Sequence, residues 1–183
     1  MKILAISGSL RTGSTTTAAL LAAAQLAPDG VEVVIWQGLG KIPLFNPDLD
    51  TEPPPTPIAE FRAELRAADA VMICSPEYAH GVSGVMKNAL DWVVGSGELM
   101  DKPVALINAS PYATIAYGQL AETLRTMSAT IIPDASVTLP VTSGKPDAAQ
   151  MLASPEISGA LRSAIAALEQ TQTIVCSRQE RHL

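Results

Sequence analysis

The chain has 183 residues, 48% of them hydrophobic, and a formal net charge of −6 at pH 7. This length favours one domain, residues 1–183, with a sizeable core. The acidic balance argues against general nucleic-acid binding, and no apolar run is long enough to span a bilayer. The N-terminus has the pattern of a first strand and lacks that of a signal peptide, so we expect a cytoplasmic protein.

Short apolar strands alternate with amphipathic helices along the chain. The strands are predicted at 2–7, 31–36, 70–74, 103–108 and 130–137, and the helices at 14–26, 58–68, 86–94, 115–127 and 157–168. Pro133 interrupts the fifth strand, which is typical of a sheet edge. This order predicts an α/β fold with a five-stranded, parallel, doubly wound sheet and right-handed crossovers.

Other segments carry less regular patterns. Residues 38–57 are dense in proline and predict an irregular connection. In the helix that follows, Ile58, Phe61 and Leu65 predict a buried face, and Arg62 is predicted on the exposed face. Residues 177–183 are polar and predict a loose tail. Two cysteines, at positions 74 and 176, are expected to be buried free thiols rather than a disulfide or a metal site.

The loop after the first strand, residues 7–15, is rich in hydroxyls. It lacks the glycine fingerprint of a dinucleotide site, and Ser14 stands where a Walker A loop has lysine. The donors present fit a phosphate monoester at the start of the next helix instead; they are Ser9, Arg11, Ser14, Thr15, Thr16 and Thr17. The alternative is that Ser14 or a neighbouring threonine merely caps that helix.

A second loop, beginning at Ser75, follows the third strand and leads into a helical stretch. Open α/β sheets bind ligands at the carboxyl ends of their strands. Two such loops on one sheet therefore predict a ligand with a phosphate end and a flat end.

Both loops resemble motifs of the NAD(P)H-dependent FMN reductase family, which has a flavodoxin-like fold. The first family motif is matched by Gly8, Ser9, Arg11, Ser14 and Thr16. The second is matched by Pro76, Glu77, Tyr78, Gly84, Lys87, Asn88, Ala89, Asp91 and Trp92. Ala79 and Ser83 replace the asparagine and the proline usual in the family, and the loop at 108–112 lacks the glycine pair of many members.

The resemblance implies a flavodoxin-like three-layer sandwich that binds FMN non-covalently, with the phosphate on the first loop and the ring along the second. The cofactor-binding residues it implies are Ser9, Arg11, Ser14, Thr15, Thr16, Pro76, Glu77, Tyr78, Ala79, His80, Gly81 and Ser110. It also implies NADPH or NADH as co-substrate and a small-molecule acceptor such as a quinone, an azo compound, free flavin or a metal oxyanion. Family members are usually homodimers or homotetramers. The flavin carries the hydride, so neither a catalytic side chain nor a metal ligand is expected.

The sequence allows two roles for each of several side chains. His80 is either a proton donor or simply solvated, and Tyr78 either stacks on a ligand or packs. Glu77 is expected to hold the loop geometry or to pair across an oligomer interface. The apolar helix at 86–94 faces either the sheet or a partner subunit.

Three function classes are compatible with these residues. The first is an FMN-dependent NAD(P)H oxidoreductase. The second is an electron-transfer flavoprotein like a flavodoxin, although flavodoxins are typically more acidic and flank their flavin with aromatic side chains. The third is a non-enzymatic binding protein that keeps the fold but has lost the flavin.

Overall fold

The computed structural model describes residues 1–179, with side chains described through residue 171. Its strands are β1 (Lys2–Ser7), β2 (Glu32–Trp36), β3 (Ala70–Cys74), β4 (Glu77–Tyr78), β5 (Gly81–Val82), β6 (Pro103–Asn108), β7 (Thr130–Ile131) and β8 (Val137–Thr138). Its helices are α1 (Thr15–Leu26), α2 (Thr56–Ala67), α3 (Gly84–Val94), α4 (Thr114–Thr126), α5 (Ala148–Ala153) and α6 (Pro155–Gln179). The Cys176 side chain and residues 180–183 of the predicted tail lie outside the described part of the chain.

The main sheet is parallel, with the strand order β2-β1-β3-β6-β7. The fifth position is shared, because β8 also pairs with β6, through Ile107 and Asn108. A short 3-10 turn, Pro133–Ala135, separates β7 from β8. This is the flavodoxin-like order, and the predicted fold class and the break at Pro133 are confirmed.

Two cores lie on opposite faces of the sheet, because successive strand residues point to opposite sides. In β1, Ile3 and Ala5 belong to the core beneath α1, α5 and α6, whereas Leu4 and Ile6 belong to the core beneath α2, α3 and α4. The three layers are therefore helices, sheet and helices, as expected. The last predicted helix carries apolar residues at helical spacing, which predict one buried face. These residues are buried in the core beneath α1, α5 and α6; they are Ile157, Leu161, Ile165 and Leu168.

Helix α3 fastens the proline-rich connection to the body of the protein. The Nε1 of Trp92 and the Nδ2 of Asn88 both donate to the carbonyl oxygen of Pro43, each at 2.9 Å. The Oδ1 of Asn88 accepts from the Phe45 N–H at 2.7 Å. Trp92 is fully buried, as are Met86 and three other apolar residues of the helix. The apolar face of α3 thus packs inside the chain, which decides between the two predicted orientations.

The prediction that Arg62 lies on the exposed face of α2 is wrong. The side chain is buried, and its Nη2 donates to the Asp50 carboxylate at 2.9 Å and to the Trp92 carbonyl oxygen at 2.6 Å. The irregular connection folds over this flank of α2, which helical periodicity alone cannot reveal. The arginine therefore links α2, α3 and the connection.

Cys74 is a free buried thiol, as predicted, and burial raises its pKa to about 12. It is therefore protonated and unreactive at neutral pH. Among the described residues there is no cluster of three His, Cys, Asp or Glu side chains suited to a metal. None of the helices in that part of the chain has both the length and the hydropathy needed to cross a membrane.

Candidate functional site

A cavity of about 510 Å³ opens at the carboxyl ends of the parallel strands. Four loops line it, and they follow β1, β3, β6 and β8. The lining residues are Ser9, Arg11, Ser14, Thr15, Thr16, Ser75, Pro76, Glu77, Tyr78, Asn108, Ala109, Ser110, Tyr112, Ala113 and residues 141–145. Its volume lies in the range typical of small-ligand and cofactor sites. Nine of the twelve predicted site residues line it; Ala79, His80 and Gly81 do not.

The loop after β1 leaves the start of α1 without a side-chain cap. Ser14 occupies the cap position but makes no capping bond, and its Oγ lies 2.6 Å from the Oγ1 of Thr16 instead. The first intrahelical donor is the Ala18 N–H, which donates to the Ser14 carbonyl oxygen. The backbone N–H groups of residues 15–17 thus have no acceptor among the described residues. No side chain of this loop caps α1 in the structure, and these N–H donors would suit an anion.

Gly8 brings the first and second loops into contact. Its N–H donates to the Cys74 carbonyl oxygen at 2.8 Å. A Cβ atom at position 8 would lie 2.5 Å from the Oγ and 3.0 Å from the backbone Cα of Ser75. Only glycine permits this approach without displacing the second loop.

The second loop is a small β-hairpin, which the sequence analysis treated as an irregular loop. Strands β4 and β5 pair antiparallel, Glu77 with Val82 and Tyr78 with Gly81. The two turn residues have positive φ, 50° at Ala79 and 58° at His80. This is a type I′ turn, which normally takes asparagine, aspartate or glycine. Ala79, His80 and Gly81 therefore sit in or beside the turn, behind the residues that line the cavity.

Glu77 joins the hairpin to α4. Its carboxylate accepts from the Ala116 N–H at 2.8 Å and lies 3.1 Å from the Nδ1 of His80. The hydrogen bond from Ala116 is the main influence that holds the pKa of Glu77 below its ordinary value, and the bond from His80 adds to it. Gln119 completes the attachment, since its amide bonds the His80 carbonyl oxygen and the Val82 N–H, each at 3.4 Å. Glu77 thus holds loop geometry within this chain, and the His80 ring is mostly exposed.

The third loop is shaped by the buried side chain of Asn108. Its Oδ1 accepts from the Ser110 N–H at 3.2 Å and its Nδ2 donates to the Ala113 carbonyl oxygen at 3.3 Å. The Asn108 carbonyl oxygen also accepts from the Leu139 N–H at 2.8 Å. The third loop is therefore tied to the segment that follows β8. Tyr112 projects from this loop and is 72% exposed.

The fourth loop, residues 141–145, was missed by the sequence analysis. It follows β8, the second half of the broken edge strand. Its polar run of Thr142, Ser143, Gly144 and Lys145 was the available signal, because it too follows the carboxyl end of a parallel strand.

The cavity carries a net positive charge in an acidic protein. Arg11 and Lys145 are the cations in its lining, and Glu77 is the carboxylate. Neither cation makes a hydrogen bond or an ion pair with a residue that the structure describes, whereas Glu77 is engaged by the Ala116 N–H and His80. Hydroxyls, backbone N–H groups and an arginine fork at one end suit a phosphate monoester. Pro76, Tyr78 and the third loop add flatter apolar surface beside it.

Comparison with known proteins agrees with this chemistry. The sequence model of the family described as NADPH-dependent FMN reductase matches residues 1–144. An NAD(P)H-dependent FMN reductase of Pseudomonas aeruginosa is 42% identical over 112 residues, which are 60% of this chain and 60% of that protein. A quinone reductase of Pseudomonas putida is 37% identical over 114 residues, 61% of each chain. The match thus spans about three fifths of these relatives.

Among solved structures, the flavoenzyme FerB of Paracoccus denitrificans, an NAD(P)H:(acceptor) oxidoreductase, superposes with a TM-score of 0.74. The two chains are 23% identical, and the match covers 92% of this chain and 97% of that one. At this level of identity the superposition establishes a shared fold.

Proposed function

The chain belongs to the NADPH-dependent FMN reductase family, and from this premise we propose that it is an FMN-dependent NAD(P)H oxidoreductase. The observation that carries the proposal is the first loop, where the guanidinium of Arg11 and the N–H groups of residues 15–17 meet no protein acceptor among the described residues. Donors in this state favour a phosphate dianion.

The residues present fit FMN at each end of the cavity. Ser9, Arg11, Ser14, Thr15 and Thr16 would bind the phosphate, with the positive end of the α1 dipole behind it. Along the flat part, Pro76, Glu77, Tyr78 and Ser110 line the cavity. The turn residues Ala79, His80 and Gly81 lie outside the cavity lining, and their role would be to fix the conformation of the backbone that meets the ring edge.

When bound, FMN would supply the chemistry, because a flavin accepts hydride from a nicotinamide and passes electrons to an acceptor. The protein then has to bind and orient the flavin and to leave one face of its ring accessible. Tyr78 and Tyr112 line the cavity and are 55% and 72% exposed, so their rings are placed to contact a flat co-substrate at the mouth. We propose NADPH or NADH as the donor, and a quinone, azo compound, free flavin or metal oxyanion as the acceptor.

We further propose that the protein is a homodimer or homotetramer. Leu10, Tyr78 and Tyr112 belong to the loops that form the cavity, and all three expose more than half of their surface. Exposed apolar side chains grouped on one edge of a protein are typical of association surfaces. Sedimentation equilibrium tests this, and a monomer at micromolar concentration would contradict it.

The test of the activity is direct. The purified chain is mixed with FMN, and NADPH or NADH oxidation is followed with a quinone as acceptor. We expect FMN binding and acceptor-dependent oxidation of at least one nicotinamide. Flavin binding without nicotinamide oxidation would favour an electron-transfer flavoprotein, and no flavin binding would favour the non-enzymatic alternative.

A further inference from the structure

The fourth loop holds a cation that neither family motif of the sequence contains. Lys145 lines the cavity together with Arg11, and its ammonium group pairs with no acceptor among the described residues. It also stands one position beyond residues 1–144, where the family match ends. The family match therefore assigns this lysine no role, and no hydrogen bond or ion pair with a described residue gives it a structural task.

The fold brings this loop to the side of the sheet that carries α1. The loop leads from β8 directly into α5, and α5 packs against α1. Helix α1 is the one whose N-terminal N–H groups face the cavity. The chain thus crosses from the edge strand toward the phosphate end of the site.

Both ends of the loop are fixed, which limits where Lys145 can reach. On one side Leu139 is fully buried and its N–H donates to the Asn108 carbonyl oxygen. On the other side Asp147 caps α5, with its carboxylate accepting from the Gln150 N–H at 2.8 Å. The Asp147 carboxylate, the nearest in sequence, is thus directed at the helix and makes no ion pair with Lys145.

The charge balance of the cavity favours a second cation. A phosphate monoester carries between about −1.5 and −2 charges at pH 7. Arg11 alone compensates about half of that charge, and Glu77, the carboxylate of the lining, adds to the negative side. With Lys145 the phosphate would meet two cations.

We propose that Lys145 is a second phosphate-binding cation of this cavity, supplied by the fourth loop. The proposal rests on the proposed function, since the phosphate monoester is that of the flavin or of the nicotinamide co-substrate. The flavin 5′-phosphate and the 2′-phosphate of NADPH share this chemistry, and the experiment below separates them.

The binding experiment uses apoprotein and quenching of flavin fluorescence. FMN and riboflavin are compared, because riboflavin lacks the phosphate. The variants are Lys145→Gln, Lys145→Arg and a matched control, Arg162→Gln, which removes one positive charge from an exposed position of α6 outside the cavity. If Lys145 binds the flavin phosphate, Lys145→Gln weakens FMN binding about tenfold and leaves riboflavin binding unchanged. Lys145→Arg retains most of the affinity, and Arg162→Gln behaves as wild type.

A second arm tests the other source of phosphate. With saturating FMN, KM is measured for NADPH and for NADH. If Lys145 binds the 2′-phosphate, Lys145→Gln raises KM for NADPH about tenfold and leaves KM for NADH unchanged, while FMN affinity is unaffected.

Two outcomes overturn the proposal. One is a Lys145→Gln variant with unchanged FMN affinity and unchanged preference between the nicotinamides. The other is an equal loss of FMN and riboflavin affinity, which would indicate a change of loop shape. Wild-type apoprotein that binds no FMN would refute the proposed function together with this inference. If the wild type binds FMN and Lys145→Gln changes neither FMN affinity nor KM for NADPH, only the inference is refuted.

Discussion

The first loop and the hairpin lie side by side in the cavity and use their polar groups in opposite ways. The first loop keeps the Arg11 guanidinium and three backbone N–H groups without protein partners among the described residues. At the hairpin, the carboxylate of Glu77 bonds the backbone of α4, and the amide of Gln119 in α4 bonds the backbone of the hairpin. The first loop thus leaves its donors open to a ligand, whereas the polar groups of the hairpin are spent on fixing its own position against α4.

The largest expected effect is the loss of Arg11. Arg11→Gln removes the charge-assisted hydrogen bonds to the phosphate, so we expect FMN affinity to fall about a hundredfold. Riboflavin affinity should change little, because riboflavin has no phosphate. Fluorescence titration of both flavins measures this, and an equal loss for both would show that Arg11 supports the loop instead of binding the ligand.

The second prediction separates binding from capping. Ser14→Ala should weaken FMN binding about tenfold and leave riboflavin binding unchanged, because the Ser14 hydroxyl makes no capping bond and lines the cavity. It should also cost about 1 kcal/mol of unfolding free energy, since the Ser14 Oγ bonds the buried Thr16 hydroxyl. The matched variant is Asp147→Ala, at a position that does cap its helix, and it should cost a similar energy and leave FMN affinity unchanged. Urea unfolding gives both energies, and unchanged FMN affinity in Ser14→Ala would favour a purely structural role for Ser14.

A smaller effect is expected in the hairpin turn. Ala79 has a φ of 50°, where a Cβ atom is unfavourable, so Ala79→Gly should stabilise the protein by about 0.5–1 kcal/mol. The control is Ala63→Gly in the exposed part of α2, where the same substitution should cost about 1 kcal/mol. Thermal unfolding compares the two. Destabilisation by Ala79→Gly would mean that the alanine side chain has a packing role.

The smallest effect concerns the charge of Glu77. The Ala116 N–H holds its pKa below the ordinary value, so the ionised form stabilises the folded state at neutral pH. This contribution is present above about pH 4.3, the ordinary value of a glutamate, and is lost as the pH falls through the lowered pKa. Glu77→Gln should therefore unfold at lower urea than wild type at pH 7, and the two midpoints should converge in acid. A gap that persists at about pH 3 would indicate lost packing instead of lost charge.

The sequence predicted the features that follow from periodicity and local motifs. The five strand positions, the break at Pro133 and the stripe of α6 depend on short-range patterns, and all three are confirmed. Five of the six predicted phosphate donors, all in the first loop or the first turn of α1, line the cavity, whereas the Thr17 hydroxyl bonds that of Ser7 at 2.8 Å and lies outside the lining. Their role in binding stays a prediction.

The features that were missed depend on contacts between distant segments. Arg62 is buried only because the proline-rich connection returns over α2. The turn at Ala79 and His80 adopts positive φ, which alanine disfavours, and contacts of Glu77 and Gln119 between the hairpin and α4 hold it in place. The fourth loop reaches the cavity because β8 pairs with β6 beyond the break at Pro133, and this pairing joins segments about thirty residues apart.

The contact at Gly8 also constrains how this site can change by mutation. A Cβ at position 8 would lie 2.5 Å from the Oγ and 3.0 Å from the Cα of Ser75, so a larger residue at position 8 displaces the second loop. Directed evolution that diversifies position 8 alone should recover almost only glycine. A library that aims at new acceptors should leave this pair intact and vary the rim instead, at Tyr112 and in the fourth loop.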